Sequence, residues 1–150
     1  MSYDSRIDTL LHIKRVSELL NKFATDLIER GNHHDDSKLV SPEKDLFDEL
    51  TPLLSSLRYG TPEYQESLDR LKPALDHHYE NNSHHPQFYK NGIDGMNLLD
   101  LVEMFFDWKA ATERTKDGDI RKSIEINSTR FNISPQLVSI FVNTIDNYNW

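Results

Sequence analysis

The sequence predicts an all-α protein, on three observations. Apolar residues recur at helical spacing, three segments open with a hydroxyl residue, a proline and a helix former, and no segment sustains strand alternation. The first helix is expected over residues 5–30, with Ile7, Leu10, Leu11, Val16, Leu19, Leu20, Phe23, Leu27 and Ile28 on it and Gly31 as its stop. Ser41-Pro42-Glu43, Thr61-Pro62-Glu63 and Ser134-Pro135-Gln136 each set a capping hydroxyl before a proline at the first helical position. There the missing N–H would have had no partner in any case. Two further helices are expected over residues 97–115 and 119–131. Residues 80–96 hold Asn, Ser, Pro and Gly and read as a loop. Together these make a bundle of about six helices. With no repeat and no long flexible linker, residues 1–150 are expected to form a single compact domain.

Composition removes several classes of function. A net charge of −8 lacks the basic footprint of a general nucleic-acid binder. Cysteine is absent, so disulfides, thiolate catalysis and Cys-containing zinc fingers are excluded. The acidic start MSYDSRIDTLLH does not read as a signal peptide, and no apolar run approaches the roughly 20 residues of a membrane span. A cytoplasmic protein is the expectation.

Six of the seven histidines fall in three doublets, His33-His34, His77-His78 and His84-His85, and His12 stands alone. Imidazole and carboxylate are the usual ligands for Mn, Fe, Co, Ni or Zn when no thiolate is present. His12 shares a helical stripe with Val16, Leu19 and Phe23 and is expected to point into the core, as a ligand or as a hydrogen-bonded core histidine. His34-Asp35 lies just past the first helix, where Asp35, Asp36 and Ser37 would otherwise serve as caps. His77 and His78 belong near a helix end, and His84 and His85 in the loop that follows. Helical neighbours diverge by about 100°, so one of His77 and His78 is expected to face a site. Asp100, Glu103 and Asp107 share one face of a helix expected to bury Leu99, Val102, Phe106 and Trp108. A partly buried carboxylate there needs a partner, which a metal would provide and a solvated acidic face would not require.

The ordered set of His12, His34-Asp35, the later histidines and Asp107 resembles the HD-domain superfamily of metal-dependent phosphohydrolases. His34-Asp35-Asp36-Ser37-Lys38 looks like that family's His-Asp-x-x-Lys signature, and the resemblance covers roughly residues 7–115. It implies an HD-like helical fold and one or two divalent ions. It implies ligands at His12, His34, Asp35 and Asp107, with His77 or His78, together with His84 or His85, for a second ion. The chain also looks like small uncharacterised HD-like proteins of bacteria and phages.

The expected activity is hydrolysis of a nucleotide or another small phosphate ester by a transition metal, or by Mg. Lys38 would contact the phosphate, and Glu103 would act as general base or orient a ligand histidine. Two alternatives stand beside it: oxygen chemistry at a di-iron centre of the same fold, and a non-enzymatic module binding a nucleotide or protein. Arg121, Lys122 and Arg130 could frame an anion, and Tyr59, Tyr64, Tyr79, Phe88 and Tyr89 could stack on a base; packing is the alternative for all of them. The last helix carries Leu137, Ile140, Phe141 and Ile145 as a core or homodimer face, and Trp150 is expected to dock.

Overall fold

The computed structural model describes residues 4–58 and 60–150. The protein is all-helical: six α-helices and three short 3-10 turns, with no strand among the described residues. The helices are α1 (Arg6–Asn32), α2 (Glu43–Ser56), α3 (Pro62–Asn81), α4 (Leu98–Thr112), α5 (Ile120–Arg130) and α6 (Pro135–Tyr148). The chain divides into two units, one ending at His34 and the other spanning Asp35–Trp150.

The first unit is essentially α1. Gly31 does not stop it, because the helix continues to Asn32 and the His33 amide closes the last turn on the Arg30 and Glu29 carbonyls. None of its residues is buried, and His12 is exposed rather than set in a core.

In the second unit the hydroxyl–proline signals divide. Thr61 accepts the Tyr64 amide and Ser134 accepts the Leu137 amide, each with proline in the first turn. Ser41 makes no such cap; Pro42 itself occupies the cap position of α2. Asn97 opens α4 with a capping box: its side chain accepts the Leu99 and Asp100 amides, and Asp100 accepts the Asn97 amide. Asp119 caps α5 by accepting the Arg121 and Lys122 amides, with no reciprocal bond.

Two apolar cores follow. Leu50, Leu71 and Ala74 join α2 to α3, reinforced at the surface by Arg70 with Glu49. Met104, Phe105, Trp108, Ile120, Ile124, Ile133, Phe141 and Ile145 join α4, α5 and α6. On α4 it is Phe105, not Phe106, that is buried, stacked on Phe141 at 5.0 Å between ring centres; Phe106 is exposed. Trp150 packs beside Tyr148, Phe106 and Lys109. Gly118 admits a close backbone approach: a Cβ there would stand 1.7 Å from the Thr112 carbonyl oxygen. The end of α3 and the 82–97 connection, with 3-10 turns at Pro86–Phe88 and Gly92–Gly95, bring the later histidines to α4.

Candidate metal centre

Three segments of the second unit build the site. Asp35 precedes a 3-10 turn (Asp36–Leu39) and takes a left-handed backbone conformation, φ 61°. Aspartate tolerates that region better than most residues, and its occurrence at a candidate ligand marks a constrained position. His78 lies on the last turn of α3 and is 2% exposed. His84 and His85 stand in the connection that follows, and His84 is equally buried.

The ligand atoms converge. One atom each from Asp35, His78, His84 and His85 lie within 4.8 Å of one another. Oδ1 of Asp35 is 3.2 Å from Nε2 of His78 and 3.5 Å from Nε2 of His84. Nε2 of His78 is 2.8 Å from Nε2 of His85. Two imidazole lone pairs repel at that distance unless a proton or a cation lies between them. A buried set of three histidines and one carboxylate is able to coordinate a metal ion.

Two further carboxylates fix the rings. Glu43, fully buried at the start of α2, accepts from Nδ1 of His78 at 2.9 Å and from Nδ1 of the half-exposed His77 at 2.7 Å. Oε1 of Glu103, on α4, lies 3.2 Å from Nδ1 of His84. A carboxylate only accepts, so each Nδ1 carries the proton, and Nε2 of His78 and of His84 present their lone pairs to the cluster. This is the usual outer support of a metal-bound histidine.

Electrostatics agree with the geometry. Burial pushes the Asp35 carboxyl up, but the adjacent His78 and His84 rings and the Lys38 ammonium outweigh it and hold the group far below the ordinary carboxylate range. Glu43 is likewise lowered: burial opposes ionisation, while His77, Ser37 and His78 favour it. His85 is pushed down to about 3, first by burial and then by the neighbouring His84 and His78, with Asp107 and Asp35 working against the shift. It is therefore a neutral ring, ready to donate a lone pair.

The other expected site residues are placed as follows. Of the His77-His78 pair, His78 faces the cluster. Both members of the His84-His85 pair face it. Lys38 reaches Oδ2 of Asp35 at 2.6 Å, with its ammonium 5.9 Å from the Phe47 ring centre. Asp107 is half-buried on α4, and His34 is the half-buried last residue of the first unit. His12 is not brought to His34: an unbroken helix separates His12 from Asn32, roughly 30 Å at 1.5 Å per residue.

Arg121 pairs with Asp146, and the Arg130 guanidinium lies 4.8 Å from the Phe131 ring centre. Tyr79 packs on His85, and the Tyr89 hydroxyl donates to Asp100. Tyr59 lies outside the described residues.

Sequence reasoning passed over Glu43, taken only as a helix former. The signal was present: Glu43, Leu46, Phe47 and Leu50 form an i, i+3, i+4, i+7 stripe, so the carboxylate heads an apolar face. It also missed how Asp100 holds the histidine loop. Asp100 is 1% exposed and accepts from the Ser83 and Tyr89 hydroxyls at 2.8 and 2.7 Å, bracketing His84 and His85.

Helices and a buried His/Asp cluster of this kind define a candidate metal-binding protein. The chain belongs to DUF5662, a family of unknown function, which it matches over residues 1–147. No curated protein and no solved structure matches it. No helix among the described residues is long and apolar enough to cross a membrane.

Proposed function

We propose that the protein is a metal-dependent phosphohydrolase acting on a nucleotide or another small phosphate ester. The observation that carries this reading is the convergence of Asp35, His78, His84 and His85, with Glu43 and Glu103 turning two of the rings inward. In this reading Asp35, His78, His84 and His85 hold a divalent ion, Mn, Fe, Co, Ni or Zn, with Mg as the weak-binding case. Such an ion supplies a bound water whose pKa falls from 15.7 toward about 7, and it polarises a phosphoryl oxygen. Lys38 holds Oδ2 of Asp35 and offers its charge to an entering phosphate. Glu103 keeps the proton on Nδ1 of His84. The HD-superfamily resemblance supports the same chemistry and adds His34 and Asp107 as further ligands. His12, far along α1, is not part of this ion's set.

Metal analysis of untagged protein tests the reading, followed by phosphate release from a panel of nucleotides and simple esters. The expected result is one or two equivalents of a transition metal, lost in Asp35→Ala, with metal-dependent turnover. Bound metal without turnover of any phosphate ester would leave a metal protein and remove the hydrolase. No bound transition metal after reconstitution, with no turnover in Mg, would remove both.

A further inference from the structure

The 3-10 turn Asp36–Leu39 is bound to the end of α3 by side chains that the metal reading does not use. Asn82 follows the last residue of α3 and turns its side chain back along the helix. Its amide nitrogen donates to the His78 carbonyl oxygen at 2.8 Å and to Oγ of Ser37 at 2.8 Å. The first bond satisfies one of the four carbonyls that a helix end leaves open. The second joins residues 45 apart in the chain. Oγ of Ser37 also stands 3.2 Å from Nδ1 of His78, beside the proton that Glu43 accepts, and it helps to keep Glu43 ionised. The Asn82 nitrogen is 3.0 Å from the same Nδ1; both nitrogens carry protons, so this is a contact and not a bond. The main chain of Asn82 completes the junction, because its carbonyl accepts the His85 amide at 3.1 Å.

We propose that Ser37 and Asn82 are positioning residues, whose hydrogen bond locks the Asp35 turn to the end of α3 and so sets Asp35, His78 and His85 at coordinating distance. The inference rests on the metal-binding part of the reading above and not on turnover. The need for such a lock lies in the ligands themselves. Asp35, His78, His84 and His85 bring ligand atoms within 4.8 Å of one another, and lone pairs gathered that closely repel. The scaffold must therefore hold them together. Glu43 and Glu103 fix rings, whereas Asp35 lies outside any α-helix and depends on its turn for its place. Lys38 holds Oδ2 of Asp35, but it comes from the same turn and does not tie that turn to α3. The Ser37–Asn82 bond does. Asn82 thus meets His78 through its side chain and His85 through its main chain, and it reaches Asp35 through a residue two positions away.

Titration of the untagged full chain with Co(II), read by its visible spectrum, tests the lock, with melting of the metal-free protein measured beside it. Ser37→Ala and Asn82→Ala should each weaken Co(II) binding on the order of tenfold, as loss of an outer partner does, and each should alter the spectrum of the bound ion. The double variant should bind no more weakly than the weaker single, because both changes remove one shared bond. Ser37→Thr keeps the hydroxyl and should recover the affinity. A merely structural role would lower the melting temperatures and leave affinity and spectrum of the folded variants as in wild type; that result overturns the proposal. Losses that add in the double variant overturn it too, as does a Ser37→Thr no better than Ser37→Ala. A wild type that binds no Co(II) removes the metal reading and the lock together, whereas equal binding by wild type and variants removes the lock alone.

Discussion

Oε2 of Glu43 lies 2.9 Å from Nδ1 of His78, although 35 residues separate them in the chain. The contact joins the first turn of α2 to the last turn of α3, and it decides which nitrogen of His78 faces the cluster. Without an acceptor at Nδ1 the ring would be free to take the other tautomer or to rotate.

Glu43→Gln should therefore weaken metal binding about 10- to 100-fold while leaving the helices folded, the usual cost of losing an outer partner. Titration with Zn or Co against a chelating indicator would measure it. Glu43→Ala should weaken binding further and also destabilise the fold, since it removes the carboxylate that two imidazole N–H groups share. Equal metal affinity in wild type and Glu43→Gln would remove the positioning role.

Asp100→Ala should cost about 2–4 kcal/mol of stability, because it strands the Ser83 and Tyr89 hydroxyls and breaks the capping box of α4. Urea unfolding reads this directly. The same variant should lose metal affinity, since the connection carrying His84 and His85 loses its anchor. Asp100→Asn keeps part of the acceptor capacity and should fall between.

The pH dependence of the metal-free protein follows from His85. Its folded pKa, about 3, lies below the ordinary value of about 6.5, so the unfolded chain binds this proton more readily. Stability should therefore fall as pH drops from about 6.5 toward 3. Asp35 and Glu43, both lowered, contribute stability above about pH 4 that is lost only at stronger acidity. Melting temperatures at pH 7, 5.5 and 4.5 would separate the two, with His85→Asn flattening the curve over that interval. An unchanged slope in His85→Asn would assign the acid sensitivity elsewhere.

Gly118→Ala should destabilise the α4–α5 connection. The new Cβ meets the Thr112 carbonyl at 1.7 Å, and backbone cannot swing aside as a side chain would. A loss of about 2 kcal/mol or more by thermal unfolding is expected, with metal content unchanged.

Local signals in the sequence translated well. Thr61-Pro62, Ser134-Pro135 and Asn97 start helices because their caps need only neighbours within one turn. The loop placement of His84 and His85 follows from the Asn, Ser and Pro around them, whereas the choice between His77 and His78 depends on Glu43 of α2. What escaped depends on distant partners. Ser41 has the capping chemistry, yet Glu43 is drawn inward by two histidines and Pro42 takes the cap. Gly31 could end a helix, but nothing obliges it to when Asn32 continues the turn. His12 lies on an amphipathic stripe, and periodicity names a face without naming what covers it.

The cluster also bears on how this chain is tied together. Asp35 and His78 lie about forty residues apart, with α2 and most of α3 between them, so an ion shared by the two would close that hairpin into a ring. In a chain without cysteine this is a reversible counterpart of a disulfide, and closing a loop of that length removes about 4 kcal/mol of freedom from the unfolded chain. The hairpin would then tighten or loosen with the supply of a single ion, and the melting temperature would report that supply.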